Sequence, residues 1–376
     1  MAVFWCRVVY APGKVLMTGG YLILERPNPG LVLSTSARFY AIFKPLLEEI
    51  KPDSWAWTWT DVKVTSPQLN RESMYKLSMK NLTLQSVSRQ VYTGCLDITI
   101  LGSNEFYSYR NQIEARGLPL LPESLAALPP FASITFNSGE SSGENSKPEV
   151  TKTGLGSSAA MTSSVVAALL HYLGVVDLAH VKGTADLDVV HIIAQTAHCI
   201  AQGKVGSGFD VSSAVYGSHR YVCFSPEVIS SAQVAIKGAP LGEVVIEIFK
   251  GKWDHERTKL SLPPLMNLVS MQPGTGGSST PSMVGAVKKW QKSNPKKSQE
   301  TWTNFSGRQK RIDAPNISAA VLILCLDTKD ILLHNFPFHF FSVGPEDAAV
   351  VGNQLSEEEK TTLQSRQKAL ADLQQM

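Results

Sequence analysis

The chain has few cysteines, almost no net charge and no long apolar run, and each scarcity closes off a class of function. Cys6, Cys95, Cys199, Cys223 and Cys325 are scattered through 376 residues, with no CxxC pair. That argues against a disulfide framework or a zinc site and points to a reducing compartment. A formal net charge of +3 without a basic run speaks against a nucleic-acid partner. No stretch approaches the roughly 18 apolar residues of a membrane span, so no membrane partner is expected. Met1 to Val9 is apolar but short and broken by Arg7, which argues against a secretory leader. A P-loop, GxxxxGK followed by Ser or Thr, is also missing, because Gly203-Lys204 runs into Val205. The composition is that of a soluble globular protein long enough for two cored domains, given roughly 100–200 residues per domain. A cytoplasmic location is expected, with a peroxisomal one as the alternative despite the lack of a clear C-terminal signal.

Glycine is concentrated in loops, and one of them describes an anion site. It is Lys152-Thr153-Gly154-Leu155-Gly156-Ser157-Ser158-Ala159-Ala160. Two glycines one residue apart let the backbone turn tightly and approach a ligand closely. A serine oxygen is expected to cap the helix that follows, Ser157 to Leu173, which Gly174 stops. A glycine loop entering a helix offers N–H groups and the positive end of a dipole to a phosphate. The Rossmann pattern GxGxx(G/A) is formally met by Gly154, Gly156 and Ala159, with Asp177 downstream for a ribose. That fingerprint must follow a buried strand, and here it follows Asn145-Ser146-Lys147-Pro148-Glu149-Val150-Thr151. Dinucleotide binding is therefore disfavoured.

The first half reads as strands: Leu31 to Phe43, Trp55 to Thr60, Leu96 to Leu101 and Phe131 to Phe136. The tryptophans of Trp55-Ala56-Trp57-Thr58-Trp59 share one face, a sheet core rather than a stacking platform. Asn137 to Lys152 reads as a mobile loop. A second helix is expected from a capping Asp186 to Gln202, with Gly203 as its stop. His191 and His198 share one face of it, and a structural role is favoured because no carboxylate or cysteine completes a ligand set. Gly242 to Lys250 reads as a strand, and Gly274 to Ser282 opens a helix to Trp290. The division expected is 1–230, 231–304 and 305–376.

A phosphoryl-transfer site needs phosphate-binding N–H groups, an oxygen ligand for Mg²⁺, a cation for developing charge and an acid to orient the nucleophile. The Gly154 loop offers the first, Ser157 or Ser158 the second, Lys14 the third and Asp210 the fourth. Lys14 lies in Ala11-Pro12-Gly13-Lys14 at a strand edge, and Asp210 ends the loop Gly206-Ser207-Gly208-Phe209-Asp210.

Gly154-Leu155-Gly156-Ser157-Ser158-Ala159-Ala160 resembles the ATP-binding motif of the GHMP kinases (galactokinase, homoserine kinase, mevalonate kinase and phosphomevalonate kinase). Three further runs are similar to the fungal and plant phosphomevalonate kinase branch: Ala11 to Lys14 with Gly19-Gly20-Tyr21-Leu22, Gly206 to Val211, and Gly276 to Ser282. The resemblance covers roughly residues 8–88 and 95–304. It implies ATP-dependent phosphorylation of 5-phosphomevalonate in isoprenoid synthesis, with ATP and Mg²⁺. It implies an α+β kinase fold, with an N-terminal domain like ribosomal protein S5 domain 2 and a ferredoxin-like, incomplete C-terminal domain. Lys152 to Ala160 would bind ATP, with Gly154, Leu155, Gly156 and Ser157 around the phosphates and Ser158 toward Mg²⁺. Lys14 and Asp210 would be catalytic, and Tyr21, Ser207, Ser278 and Ser279 would contact substrate.

Two departures stand out. Between Ser88 and Gly94 the chain is shorter than the family pattern, and after about Asn304 the resemblance stops, with no C-terminal GxGG motif. These point to an altered transcript or gene model rather than a divergent form. From about Gln291 onward the chain is expected to pack poorly, leaving Ile317 to Phe341 in need of a cover.

Overall fold

The computed structural model describes residues 6–45, 59–78, 96–134, 152–180, 183–232, 241–261, 267–270, 280–309 and 339–342. Two compact units emerge. The first takes most of residues 1–15, 32–217 and 224–255. Its strands are β1 (Arg7–Thr18), β2 (Pro29–Pro45), β3 (Trp59–Ser66), β4 (Arg71–Ser78) and β5 (Leu96–Gly102), the first two running on into the other unit. They order as β4-β3-β5-β2, with β1 on β2. β2 runs antiparallel to β5, while β3 and β5 are parallel.

Against this sheet lies α3 (Ser157–Tyr172), preceded by the short α1 (Arg110–Ala115) and α2 (Pro122–Ala126). Val165, Ala168, Leu169 and Tyr172 of α3 pack on Ala41, Phe43, Val62 and Ile98 of the sheet. The other side of α3 meets α4 (Ala185–Gln202) through Ala167, Leu170 and Val190. The third helix is α5 (Phe209–Tyr216), and Ala159, Ala194 and Val211 join α3, α4 and α5 where α3 begins. Small side chains at that junction let three helix backbones come close.

Several expectations need correction. Gly242 to Lys250 is not a strand but most of helix α6 (Leu241–Lys250). Its β-branched run suited a strand, yet Val244 and Ile248, four apart, are buried together against Phe224 and Ile229, the spacing of one helix face. Phe131 to Ile134 forms no strand: Phe131 takes a left-handed φ of 55° and Ile134 N–H bonds to Gln68 O at 3.0 Å. Asp186 does not cap α4; Thr184 holds that position, and Asp186 Oδ2 accepts from Asp177 N–H instead. Trp55 to Thr58, Asn137 to Thr151 and Leu355 to Met376 lie outside the described residues.

In the second unit β6 (His219–Val222) pairs antiparallel with β7 (Glu256–Lys259), and β8 (Asn267–Ser270) with β9 (His339–Ser342). Arg26 donates to Cys223 O at 2.6 Å and reaches Glu256 at 3.7 Å. Helix α7 (Thr280–Ser293) and helix α8 (Pro295–Gln309) follow, with the Trp290 and Trp302 rings 6.1 Å apart and tilted by 33°. Helical structure thus runs on to residue 309, past the Gln291 limit expected, and Ser306 Oγ donates to Asn28 Oδ1 at 3.1 Å.

Candidate functional site

The first unit brings together Lys14, the Gly154 loop and Asp210. Gly156 is the N-cap of α3 at φ 74°, and no side chain caps the helix. The expected serine cap is therefore absent. Gly154 is also left-handed, at φ 78°. The first intrahelical bond runs from Ala160 N–H to Gly156 O at 3.1 Å, so the N–H groups of Ser157, Ser158 and Ala159 have no acceptor within the helix. A capping oxygen would stand where an anion must stand; a glycine cap leaves the helix end open to one. Helix α5 begins the same way, on Gly208 at φ 79° with no side-chain cap. Asp210 is in its first turn and accepts from Val211 N–H at 2.9 Å.

β1 carries Lys14 onto the loop. Lys14 N–H donates to Leu155 O at 2.8 Å, and its ammonium donates to Gly154 O at 3.2 Å. Gly13 makes the approach possible, because a Cβ there would stand 2.9 Å from both Phe106 and Thr35 and 3.0 Å from Leu155 O. The ammonium lies 5.3 Å from the centre of the Phe209 ring, within cation–π range. Burial pushes the Lys14 ammonium below the usual lysine range, and the Asp210 carboxylate pulls it part of the way back. A half-buried cation, an acid and an open helix end thus face one another.

The remaining predicted residues divide. Thr153 braces the loop, donating from its hydroxyl to Glu105 O at 2.6 Å and from its N–H to Phe106 O at 3.1 Å. Lys152 is exposed and bridges to Tyr107. Ala159 and Ala160 bury their side chains in the core, so only their backbone could meet a ligand. Ser207 is buried in the second glycine loop. Tyr21 belongs to the second unit, at the N-cap of a short 3-10 turn, Leu22–Leu24, and burial raises its phenol. Ser278 and Ser279 lie outside the described residues.

Phe209 and Gln202 escaped sequence reasoning, and His198 was read there as structural only. Phe209 supplies the ring beside Lys14. His198 and Gln202 of α4 reach Ser158: His198 Nε2 is 3.2 Å from Ser158 Oγ, Gln202 Nε2 is 3.5 Å from it, and the two side chains meet at 2.8 Å. Their spacing of four on one helix was legible, but not which helix they would face. Cys199, beside His198, takes a hydrogen bond from Gln195 at 3.2 Å; burial pushes its thiol up, and a Gly206 N–H bond ties it to the second glycine loop.

The residues fit a nucleotide better than a metal cage. Among the described residues no three His, Cys, Asp or Glu side chains cluster to hold a metal. A Mg²⁺ ion keeps few protein ligands and relies on substrate phosphates, which suits a lone hydroxyl such as that of Ser158. A Cβ on Gly154 would meet nothing within 4 Å, so that face of the loop has room for phosphate. No helix among the described residues is long and apolar enough to cross a membrane.

Known proteins bear on this geometry. The profile of the GHMP kinases N terminal domain matches residues 141–218, which hold both glycine loops. "Phosphomevalonate kinase, peroxisomal" of Arabidopsis thaliana is 66% identical over 335 residues, covering 80% of this chain. That match spans 66% of the Arabidopsis protein, just under two thirds of its length. "Phosphomevalonate kinase" of Candida albicans is 31% identical over 79% of this chain and 67% of its own. Among solved structures, the Lin0012 protein of Listeria innocua shares the fold at a TM-score of 0.56 and 15% identity, over 93% of this chain and 94% of that one.

Proposed function

The chain belongs to the phosphomevalonate kinases of the GHMP kinase superfamily, and on that premise we propose that it transfers the terminal phosphoryl group of ATP to 5-phosphomevalonate. One observation carries the reading: the ammonium of Lys14 is tied to the loop that opens α3 and lies within electrostatic reach of Asp210. In the proposed step an oxygen of the acceptor's phosphate attacks the γ-phosphorus, and the bond from that phosphorus to the bridging oxygen breaks. ADP leaves, and 5-diphosphomevalonate remains. A phosphate monoester is largely ionised near neutral pH, so Asp210 acts by orienting the acceptor more than by taking a proton. Lys14 balances charge on the group in flight. Gly154 to Ser157 cradle the phosphates through backbone N–H groups, and Ser158 offers its oxygen to Mg²⁺. Such an ion, when bound, would supply positive charge to offset that of the transferring phosphates.

Tyr21, Ser207, Ser278 and Ser279 are assigned to the acceptor, and the division at residues 230 and 304 is kept as part of this proposal. Five scattered cysteines suit a cytoplasmic or peroxisomal setting, the second being the one in the Arabidopsis relative's name.

The test is ADP release with 5-phosphomevalonate, mevalonate and homoserine offered separately. Preference for 5-phosphomevalonate is expected, and preference for either of the others would refute the substrate. Asp210→Asn should lower the rate by at least about 10²-fold with ATP affinity kept. A second reading, an ATP-binding protein without turnover, needs only the open helix end at Gly156. ATP binding with no ADP release would favour it.

A further inference from the structure

We infer that His198 and Gln202 are positioning residues that aim the Ser158 hydroxyl oxygen at the metal–nucleotide site. The inference rests on the nucleotide reading above and adds two residues to it. The amide nitrogen of a glutamine can only donate. At 2.8 Å from Gln202 Nε2, the His198 Nε2 atom must therefore accept, which places the ring proton on Nδ1. Nε2 has a single lone pair, which the Gln202 amide and the Ser158 hydroxyl share, so the contact of 3.2 Å to Ser158 Oγ is the longer, weaker branch of a three-centre hydrogen bond, donated by the hydroxyl. The proton of Ser158 is thus drawn toward α4. The amide of Gln202, 3.5 Å from the same oxygen, donates weakly to it from the same side.

A serine hydroxyl left to itself rotates, and it is as ready to present its proton as its lone pairs. A cation needs the lone pairs. Committing the proton to His198 leaves the outward side of Ser158 Oγ as an acceptor, the state a hard cation requires. His198 is 5% exposed, so solvent competes little for its ring. The arrangement prepares one atom and leaves the phosphate cradle of Gly154 and Gly156 untouched. Its loss should therefore show only when metal is present.

The experiment measures ATP binding by calorimetry, without acceptor, in excess Mg²⁺ and again in EDTA. His198→Phe keeps a ring but has no acceptor. It should weaken Mg²⁺–ATP binding by roughly two- to tenfold, the effect of one neutral hydrogen bond, while metal-free ATP binding stays within about twofold. His198→Gln offers a carbonyl oxygen to the Ser158 proton and should recover most of the loss. Gln202 is exposed, so Gln202→Leu should fold even if a buried substitution does not, and a smaller loss confined to Mg²⁺ is expected. Equal weakening with and without metal, or undiminished Mg²⁺–ATP affinity in His198→Phe and Gln202→Leu, would overturn the inference. Failure of the unmodified chain to bind ATP under either condition would instead overturn the nucleotide reading, and the inference with it.

Discussion

Gly154 and Gly156 have nearly the same backbone and different surroundings, so alanine at each separates two effects. Their φ angles are 78° and 74°, and an alanine in that left-handed region costs about 1–2 kcal/mol at either position. The strain nearly cancels when the two variants are compared. At Gly154 the new methyl would meet nothing within 4 Å; it would stand on the open face where phosphate must approach. At Gly156 it would lie 3.0 Å from Lys14 Cε, 3.1 Å from Cγ and 3.5 Å from Cδ. The lysine chain is flexible, so it would swing aside, and its bond to Gly154 O would go with it, a further loss of about 0.5–1.5 kcal/mol in stability. Removing a charge-stabilising donor outright lowers turnover by about 10²–10³, and a displaced Lys14 should lower it at least about tenfold. Gly154→Ala should thus raise KM for ATP with kcat nearly kept, and Gly156→Ala should lower kcat. Steady-state ADP release, with urea unfolding to confirm that both variants are folded, decides the matter. Equal kcat in the two variants would refute the placement of Lys14 over Gly156.

Lys14→Met loses the bond to Gly154 O but also relieves the burial that disfavours the native ammonium, so stability to urea should change by less than about 1.5 kcal/mol while turnover falls by about 10²-fold or more; a larger loss of stability would contradict it. Ile246 is 57% exposed and Ile248 1%, although a strand would put both on one face. Ile248→Ala should cost about 2–5 kcal/mol and Ile246→Ala under about 0.5 kcal/mol, and comparable losses in urea melts would restore the strand. Burial raises the Tyr107 phenol from 10.0 to about 12, so the unfolded chain ionises first. The stability this residue contributes is full below about pH 10 and lost between about pH 10 and 12. Urea midpoints at about pH 9 and pH 11 should therefore fall less in Tyr107→Phe than in the unmodified chain.

The amino-acid order alone determined the elements whose signals are local. β2 and β5 stand where β-forming residues run, α3 starts after Gly156, and α4 ends at Gly203 with φ 67°. Both glycine loops were legible for the same reason, since left-handed backbone is a property of the residue that adopts it. Where two readings fitted, sequence could not choose. Val244-Val245-Ile246-Glu247-Ile248 is β-branched like a strand, and burial of Val244 with Ile248 against Phe224 and Ile229 made it a helix. The cap of α3 was read as serine because serine caps well on average, whereas here a glycine leaves the helix end open. Tertiary structure alone decided that Lys14 reaches Gly154 across 140 residues and that His198 faces Ser158 rather than its helix neighbour His191. Such contacts depend on how a sheet and three helices pack, and packing is set by side chains far apart in the chain, so no local pattern records it.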